Sequence, residues 1–586
     1  MTDSLIEYKR GDQPIAGPNE LWPLYGAGLE NLGVDGNPID VPMPQFGPDE
    51  LLVRHDACGL CFSDTKVINL GQGHPRIFRD IRVEPVVLGH EVSLTVVGVG
   101  ANLRDRYRVG DRFIVQAEIY YKGVNWAYGY MLQGGLSRYG VLDERVLNGD
   151  DGVYLIPVQA GTGYAESALT EPWACVTAAY GLHYRDGLKA GGTAWIIGAG
   201  DRGQETGSRG QGAGDSYTIS AGLDAASHPA RLILTNVPAP FAAWLRERAA
   251  ALGVEVLDAP DVAALPVNEV DDIVLLGADP DLVEAASPRL AKDGVFAIVA
   301  DKPMSRKVSL DSGRVHYNNW VYVGCKGGPD GGHDIAKAYS GVPVRSELKP
   351  GGKAWFIGAA GPMGRMHVQR AIEVPNGPSV IVCTDVSDMR LQDLIDSYAA
   401  EAEAKGIDFI CLNPMNKEPY QIAMARFKPS GFDDVIVLAP VAALIADGAT
   451  WLADGGVMNV FAGVARGTMA TFDASDIYLR DVRTIGQSGS SIDDMRLMLF
   501  QAETGTLSPN RSVAAIGSLA AAWNGIKAVK EQTFPGKIVI YPNIADLPLT
   551  PLSELEEKLP TVYAKLKDGR EWTNEAEAEL LRLLLA

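Results

Sequence analysis

The sequence predicts an α/β protein in which a β-rich first domain precedes two tandem, doubly wound parallel sheets. Two observations carry this. Residues 1 to about 160 are short apolar runs broken by glycine-rich turns, as at Glu50–Arg54, Val92–Gly100 and Asp111–Val115. Beyond them, buried strands alternate with helical stretches, and the whole pattern occurs twice. Gly191-Gly192-Thr193-Ala194-Trp195-Ile196-Ile197-Gly198 returns as Gly351-Gly352-Lys353-Ala354-Trp355-Phe356-Ile357-Gly358, at 358 − 198 = 160. Asp271–Leu276 returns as Asp433–Leu438 and Lys292–Phe296 as Ala453–Val457. Tyr322-Val323-Gly324 returns as Thr484-Ile485-Gly486, at 486 − 324 = 162. The implied domains are 1–180, 181–345, 346–488 and 489–586. The last returns to the first domain and ends in two amphipathic helices over 551–586.

The totals exclude several classes. At 586 residues the chain needs more than one domain, and 46% hydrophobic residues supply the cores. The balance of 52 basic against 73 acidic residues, or −21, disfavours nucleic acid and anionic membranes as partners. No apolar run is long enough to span a bilayer, and the N-terminus lacks the order of a signal peptide. Six cysteines, at 58, 61, 175, 325, 383 and 411, make no disulfide framework, so a reducing cytoplasm is expected. Cys175, Cys325, Cys383 and Cys411 read as buried small hydrophobes.

A thiolate and an imidazole are offered by Cys58-Gly59-Leu60-Cys61-Phe62-Ser63-Asp64-Thr65-Lys66 and Gly89-His90-Glu91. Such soft and borderline ligands suit zinc. Glu171, in a helix predicted over Tyr164–Tyr180, is a candidate third ligand. Three protein ligands and an open fourth position define a catalytic zinc site. Singly, each motif has a bland reading, such as a packed histidine. Their order, their separation and the Glu171-Pro172 step at a helix start favour the site.

Together these motifs resemble the medium-chain dehydrogenase/reductase superfamily, in its zinc-dependent alcohol and polyol dehydrogenase branch. The resemblance implies a GroES-like catalytic domain and Rossmann nucleotide folds. It implies Cys61, His90 and Glu171 as zinc ligands, with Glu91 beside the metal or exchanging with a ligand. Asp64 would orient a ligand, and Ser63 would take the proton of the bound alcohol. Lys66 stands where many relatives have a relay histidine, so it either relays a proton or binds an anionic substrate group. With no cysteine between 61 and 175, the structural zinc of many relatives is expected to be absent. Asp111–Ala117, Tyr121-Lys122-Gly123, Gly129-Tyr130, Gln133-Gly134-Gly135 and Glu171–Cys175 further resemble the L-sorbose-1-phosphate reductase-like group, in which lysine after the zinc cysteine is usual.

A dinucleotide fold needs a glycine turn after its first strand and an acid ending its second. The second copy has Gly358-Ala359-Ala360-Gly361-Pro362-Met363-Gly364, then a strand ending at Asp385, and 385 − 364 = 21. Asp385 favours NAD over NADP, a preference softened by Arg390. The candidate nucleotide residues are Gly358, Gly361, Met363, Gly364, Asp385, Arg390 and Ala439. In the first copy, Gly198-Ala199-Gly200-Asp201-Arg202-Gly203 runs into the polar, glycine-rich Gln204–Ser216, and the next strand ends at Asn236. That copy reads as degenerate, an insertion that could take the place of a dimer partner's nucleotide domain.

The expected protein is a zinc- and NAD-dependent oxidoreductase acting on a polyol or ketose, phosphorylated or not. Homo-oligomer assembly stays open. The alternatives are a redox-neutral epimerase or lyase with tightly held NAD, and a non-catalytic sensor.

Overall fold

The computed structural model describes residues 4–13, 15, 17–182, 184–200, 216–328, 332–339 and 346–585. Asp201–Asp215, which holds Gly203 and nearly all of the polar glycine-rich run of the first copy, lies outside the described residues, as does the expected boundary at 345. The chain divides into two compact units, one of residues 1–178, 361–373 and 489–586, the other of 179–360 and 374–488.

The first unit is built on an eight-stranded sheet. Its long buried strands Leu51–Gly59 and Glu91–Val99 pair antiparallel, with Gly59 opposite Glu91. Lys537–Tyr541 returns from the C-terminal segment and lies antiparallel to Leu51–Gly59, with Val539 opposite Gly59. That register sets Lys537 beyond the end of Leu51–Gly59, where the donor motifs begin.

The helix expected over Tyr164–Tyr180 is two helices, Tyr164–Ala168 and Thr170–Ala178. Pro172 has no amide hydrogen and would clash with the preceding turn of a continuous helix, so the chain restarts and places proline in a first turn. Glu171 therefore also occupies a first turn. Pro560 acts similarly: the first of the two C-terminal helices is split into single turns, Leu555–Lys558 and Pro560–Tyr563, ahead of Asn574–Leu584.

The second unit holds both copies of the repeat. In each, six strands take the order 3-2-1-4-5-6, the doubly wound arrangement of a dinucleotide fold. The first copy starts with Thr193–Gly198 and the second with Lys353–Ile357. Their sixth strands, Val321–Cys325 and Arg483–Ile485, pair antiparallel through Tyr322 and Thr484, so the two sheets form one of twelve strands. One hydrophobic cluster runs beneath both copies, from Trp195, Ile273 and Phe296 to Trp355, Val435 and Met458.

The duplication extends to side-chain contacts. Trp195 Nε1 donates to Thr235 Oγ1 at 2.9 Å, and Trp355 Nε1 donates to Thr384 Oγ1 at 3.1 Å. The amide of Thr193 donates to Asp271, and that of Lys353 to Asp433, both at 2.9 Å. Lys189 pairs with Asp271 at 2.6 Å and Lys349 with Asp433 at 2.5 Å. These pairs tie the loop before each first strand to the start of its fourth.

Candidate active site

The donor cluster lies in the first unit, at the end of the strand Leu51–Gly59. Cys61 is the N-cap of the helix Phe62–Leu70. Asp64, at the third helical position, folds back so that Oδ2 accepts from the Cys61 amide at 2.9 Å. Its Oδ1 lies 3.3 Å from His90 Nδ1. One carboxylate thus caps the helix that carries Cys61 and sets its charge beside Nδ1 of the imidazole, with Nε2 on the ring's other side. Ser63 Oγ lies 3.3 Å from that Nε2.

Cys61, His90 and Glu91 bring their ligand atoms within 4.8 Å of one another, the group of metal-type donors so assembled among the described residues. Glu91 is fully buried. Its Oε1 accepts from Lys537 Nζ, a lysine only 4% exposed, whereas its Oε2 has no hydrogen-bond partner. Oε2 sits where a side chain on Gly59 would be, 2.2 Å from a Cβ built there. Glycine at 59 is therefore the space that lets Glu91 stand in the cluster.

Glu171 is outside this compact group, but it feels the same charges. Burial pushes its carboxyl up to about 7; His90 and Lys537 oppose the rise and Glu91 adds to it. Burial works against charge on His90 and Lys537, and neighbouring anions outweigh it. Asp64 and Cys61 hold His90 well above the ordinary imidazole value, and Glu91 and Cys61 raise Lys537. A half-buried thiol, an imidazole and a carboxylate with an unpartnered oxygen form a donor set that fits zinc. Cys58 is outside the group, and Gly89 and Gly135 pack against its sulfur side.

Around the donors stands a wall in which the motifs had singled out Tyr130 and Lys66 but not His74 or Arg76. The Tyr130 ring lies 5.9 Å from that of His90 and 5.7 Å from that of His74, and the Arg76 guanidinium carbon is 5.3 Å from its centroid. Arg76 pairs with Glu118, and its amide donates to His74 Nδ1 at 3.2 Å. Partial burial, then Arg76 and Lys66, lower the His74 pKa, so the ring stays neutral with Nε2–H as donor. Lys66 is exposed, three residues beyond Ser63 on the same helical face. Lys537 was also missed; its one signal was a lone charge opening the apolar run Ile538–Tyr541.

The nucleotide residues of the second unit meet one another as follows. Gly358 has φ +79°, and a Cβ there would lie 3.0 Å from Ala439, so this pair closes the turn after Lys353–Ile357. Asp385 Oδ2 accepts from the Ala360 amide at 3.2 Å, and Oδ1 accepts from the Ser387 amide at 3.1 Å. The carboxylate is held at the strand end facing the glycine turn, where a ribose acceptor is needed. Arg390 is in the first turn of Asp388–Ala404, its amide capped by Ser387 at 3.4 Å. Gly361, Met363 and Gly364 belong to the first unit, where they open the helix Pro362–Glu373; a Cβ on Gly361 would meet nothing within 4 Å.

A catalytic domain with a zinc-type donor set and a duplicated Rossmann sheet define a class, the dehydrogenases that join GroES-like and nucleotide domains. Residues 47–151 match the alcohol dehydrogenase GroES-like domain. The chain's relatives include dehydrogenases and reductases of polyols and polyol phosphates. It is 24% identical over 554 residues to the mannitol-1-phosphate 5-dehydrogenase of Aliivibrio fischeri, covering 92% of this chain and 93% of that one. Such an alignment spans both Rossmann copies. Over 300 residues it is 26% identical to the L-sorbose 1-phosphate reductase of Klebsiella pneumoniae, covering 49% and 71% of the two chains. Among solved structures, the 2R,3R-butanediol dehydrogenase of Bacillus subtilis aligns at 15% identity and TM-score 0.49, covering 90% of this chain and all (100%) of that one.

Proposed function

We propose that the protein is a zinc-dependent oxidoreductase that moves hydride between NAD(H) and a polyol or its ketose, with a phosphate monoester as the preferred substrate form. The observation that carries this is the convergence of Cys61, His90 and Glu91 beside Ser63. These three, or Glu171 in place of Glu91, would hold zinc, which supplies Lewis-acid stabilisation of charge developing on the substrate oxygen. Ser63 Oγ takes the substrate hydroxyl proton during oxidation and returns it during reduction. Asp64 keeps a negative charge 3.3 Å from His90 Nδ1. Lys537 balances the charge of Glu91 so that a buried carboxylate can stand beside the thiolate.

Lys66, the Nε2–H of His74 and the Arg76 guanidinium give this wall cationic and donor character suited to a phosphate monoester. The relatives named for mannitol 1-phosphate and L-sorbose 1-phosphate agree with that substrate class. Asp385 would accept from ribose hydroxyls and repel a 2′-phosphate, favouring NAD.

The test is metal analysis together with NADH production across hexitols and their monophosphates. Bound zinc and turnover of a hexitol phosphate are expected. Lys66→Met should raise KM for the phosphate ester about tenfold, the worth of roughly 1.4 kcal/mol, and leave the parent hexitol unchanged. A protein expressed with ample zinc that holds none and turns over no polyol would defeat the reading.

A further inference from the structure

We propose that Cys383 and Cys411 are a reversible thiol–disulfide pair, oxidised by hydroperoxides, at the nucleotide-binding sheet of the second copy. Cys383 is in Val380–Thr384 and Cys411 in Asp408–Leu412, the strand at the sheet's edge. The two are direct partners in parallel register. Adjacent strands run about 4.8 Å apart, inside the roughly 4.4–6.8 Å between Cα atoms that a disulfide bridges. Partnered residues point to the same face, so the two thiols stand side by side. Cys383 is fully buried and Cys411 half-buried, so an oxidant reaches Cys411 first.

The chemistry balances with one hydroperoxide. The Cys411 sulfur attacks the terminal peroxide oxygen; the O–O bond breaks, an alcohol or water leaves, and a sulfenic acid remains. The Cys383 sulfur then attacks the Cys411 sulfur, the S–O bond breaks, and water departs with the Cys383 proton. Two thiols are oxidised to one disulfide as the hydroperoxide is reduced. Cellular thiols reverse it, as expected of disulfides in reducing compartments.

The position gives the crosslink a consequence. Asp385 lies two residues beyond Cys383, and its amide donates to the carbonyl of Leu412, beside Cys411, at 3.3 Å. The crosslink therefore clips together the strand ends that place Asp385. This link to nucleotide binding rests on the reading of Asp385 as the ribose acceptor.

The experiment uses the zinc-loaded full chain, oxidised with hydrogen peroxide, alkylated and mapped without reductant. Expected is a peptide pair joining Cys383 to Cys411, lost with dithiothreitol and absent from Cys411→Ser and Cys383→Ala. The NADH dissociation constant should shift about fivefold on oxidation in the wild type and in neither variant. Cys411 advancing to sulfinic acid while Cys383 stays alkylatable overturns the proposal. A proven disulfide with an unchanged NADH dissociation constant overturns its link to Asp385. A proven disulfide in a protein that binds no NADH in either state confirms the pair and refutes the nucleotide reading instead.

Discussion

Gly59→Ala isolates the packing that puts Glu91 into the donor cluster. Gly59 lies in an extended strand, where alanine ordinarily gains about 0.5–1 kcal/mol over glycine. Here its Cβ would fall 2.2 Å from Glu91 Oε2, 3.0 Å from Leu169 Cδ2 and 3.2 Å from Glu91 Cβ. Ordinary contact is about 3.5 Å, so the carboxylate must retreat by roughly 1.3 Å. It has nowhere to go, because Glu91 is fully buried and Oε1 is held by Lys537. Overpacking of this kind costs about 1–3 kcal/mol, and breaking the buried ion pair raises that to about 3–5 kcal/mol. Less the gain from alanine, the expected loss is roughly 2–4 kcal/mol. Urea denaturation of the zinc-saturated protein measures it, and competition with a chelator should show zinc affinity about 10–100-fold weaker. A variant as stable as the wild type, with unchanged zinc affinity, would show that Glu91 is not held against Gly59.

Other consequences are equally direct. Lys537→Met strands a buried carboxylate and should cost about 3–5 kcal/mol in denaturant titration, and adding Glu91→Gln should recover most of it because the second charge is then gone. Asp385→Ala should raise the use of NADPH relative to NADH about tenfold in kcat/KM, since the repulsion of a 2′-phosphate is removed. Burial lowers the His55 pKa to about 4, and its ring stays neutral between Ser137 O at 2.9 Å and the Tyr128 hydroxyl at 2.7 Å. The unfolded chain, with an ordinary imidazole near 6.5, takes up the proton first. Stability is therefore fully present above about pH 6.5 and falls towards pH 4 by roughly 3 kcal/mol from this group. His55→Asn should flatten that window in stability measured at pH 7 and pH 5.

Much of the architecture could be read directly because its signals are local. The tandem repeat shows as identical tryptophans 355 − 195 = 160 residues apart, and the structure returns the same indole-to-threonine bond in each copy. The helix Phe62–Leu70 was not anticipated: Cys61 and Asp64 were read only as a ligand and its partner, although their three-residue spacing is that of a cap. The continuous helix through Glu171 was misread because its apolar pattern runs unbroken across Leu169 while Pro172 forbids the backbone.

The sequence by itself determined the soft-donor motifs, the glycine turn with its following acid, and the doubled sheet. Each is written within some twenty residues of chain, or in the comparison of one stretch with another. Tertiary structure alone decided what neutralises Glu91, which atom Gly59 makes room for, and which cysteines face each other. Lys537 reaches Glu91 across 446 residues of chain, and Cys383 meets Cys411 only because two parallel strands adopt one register. Charge balance in a buried site and pairing across a sheet depend on where remote segments come to rest, and that is fixed by packing of the whole core.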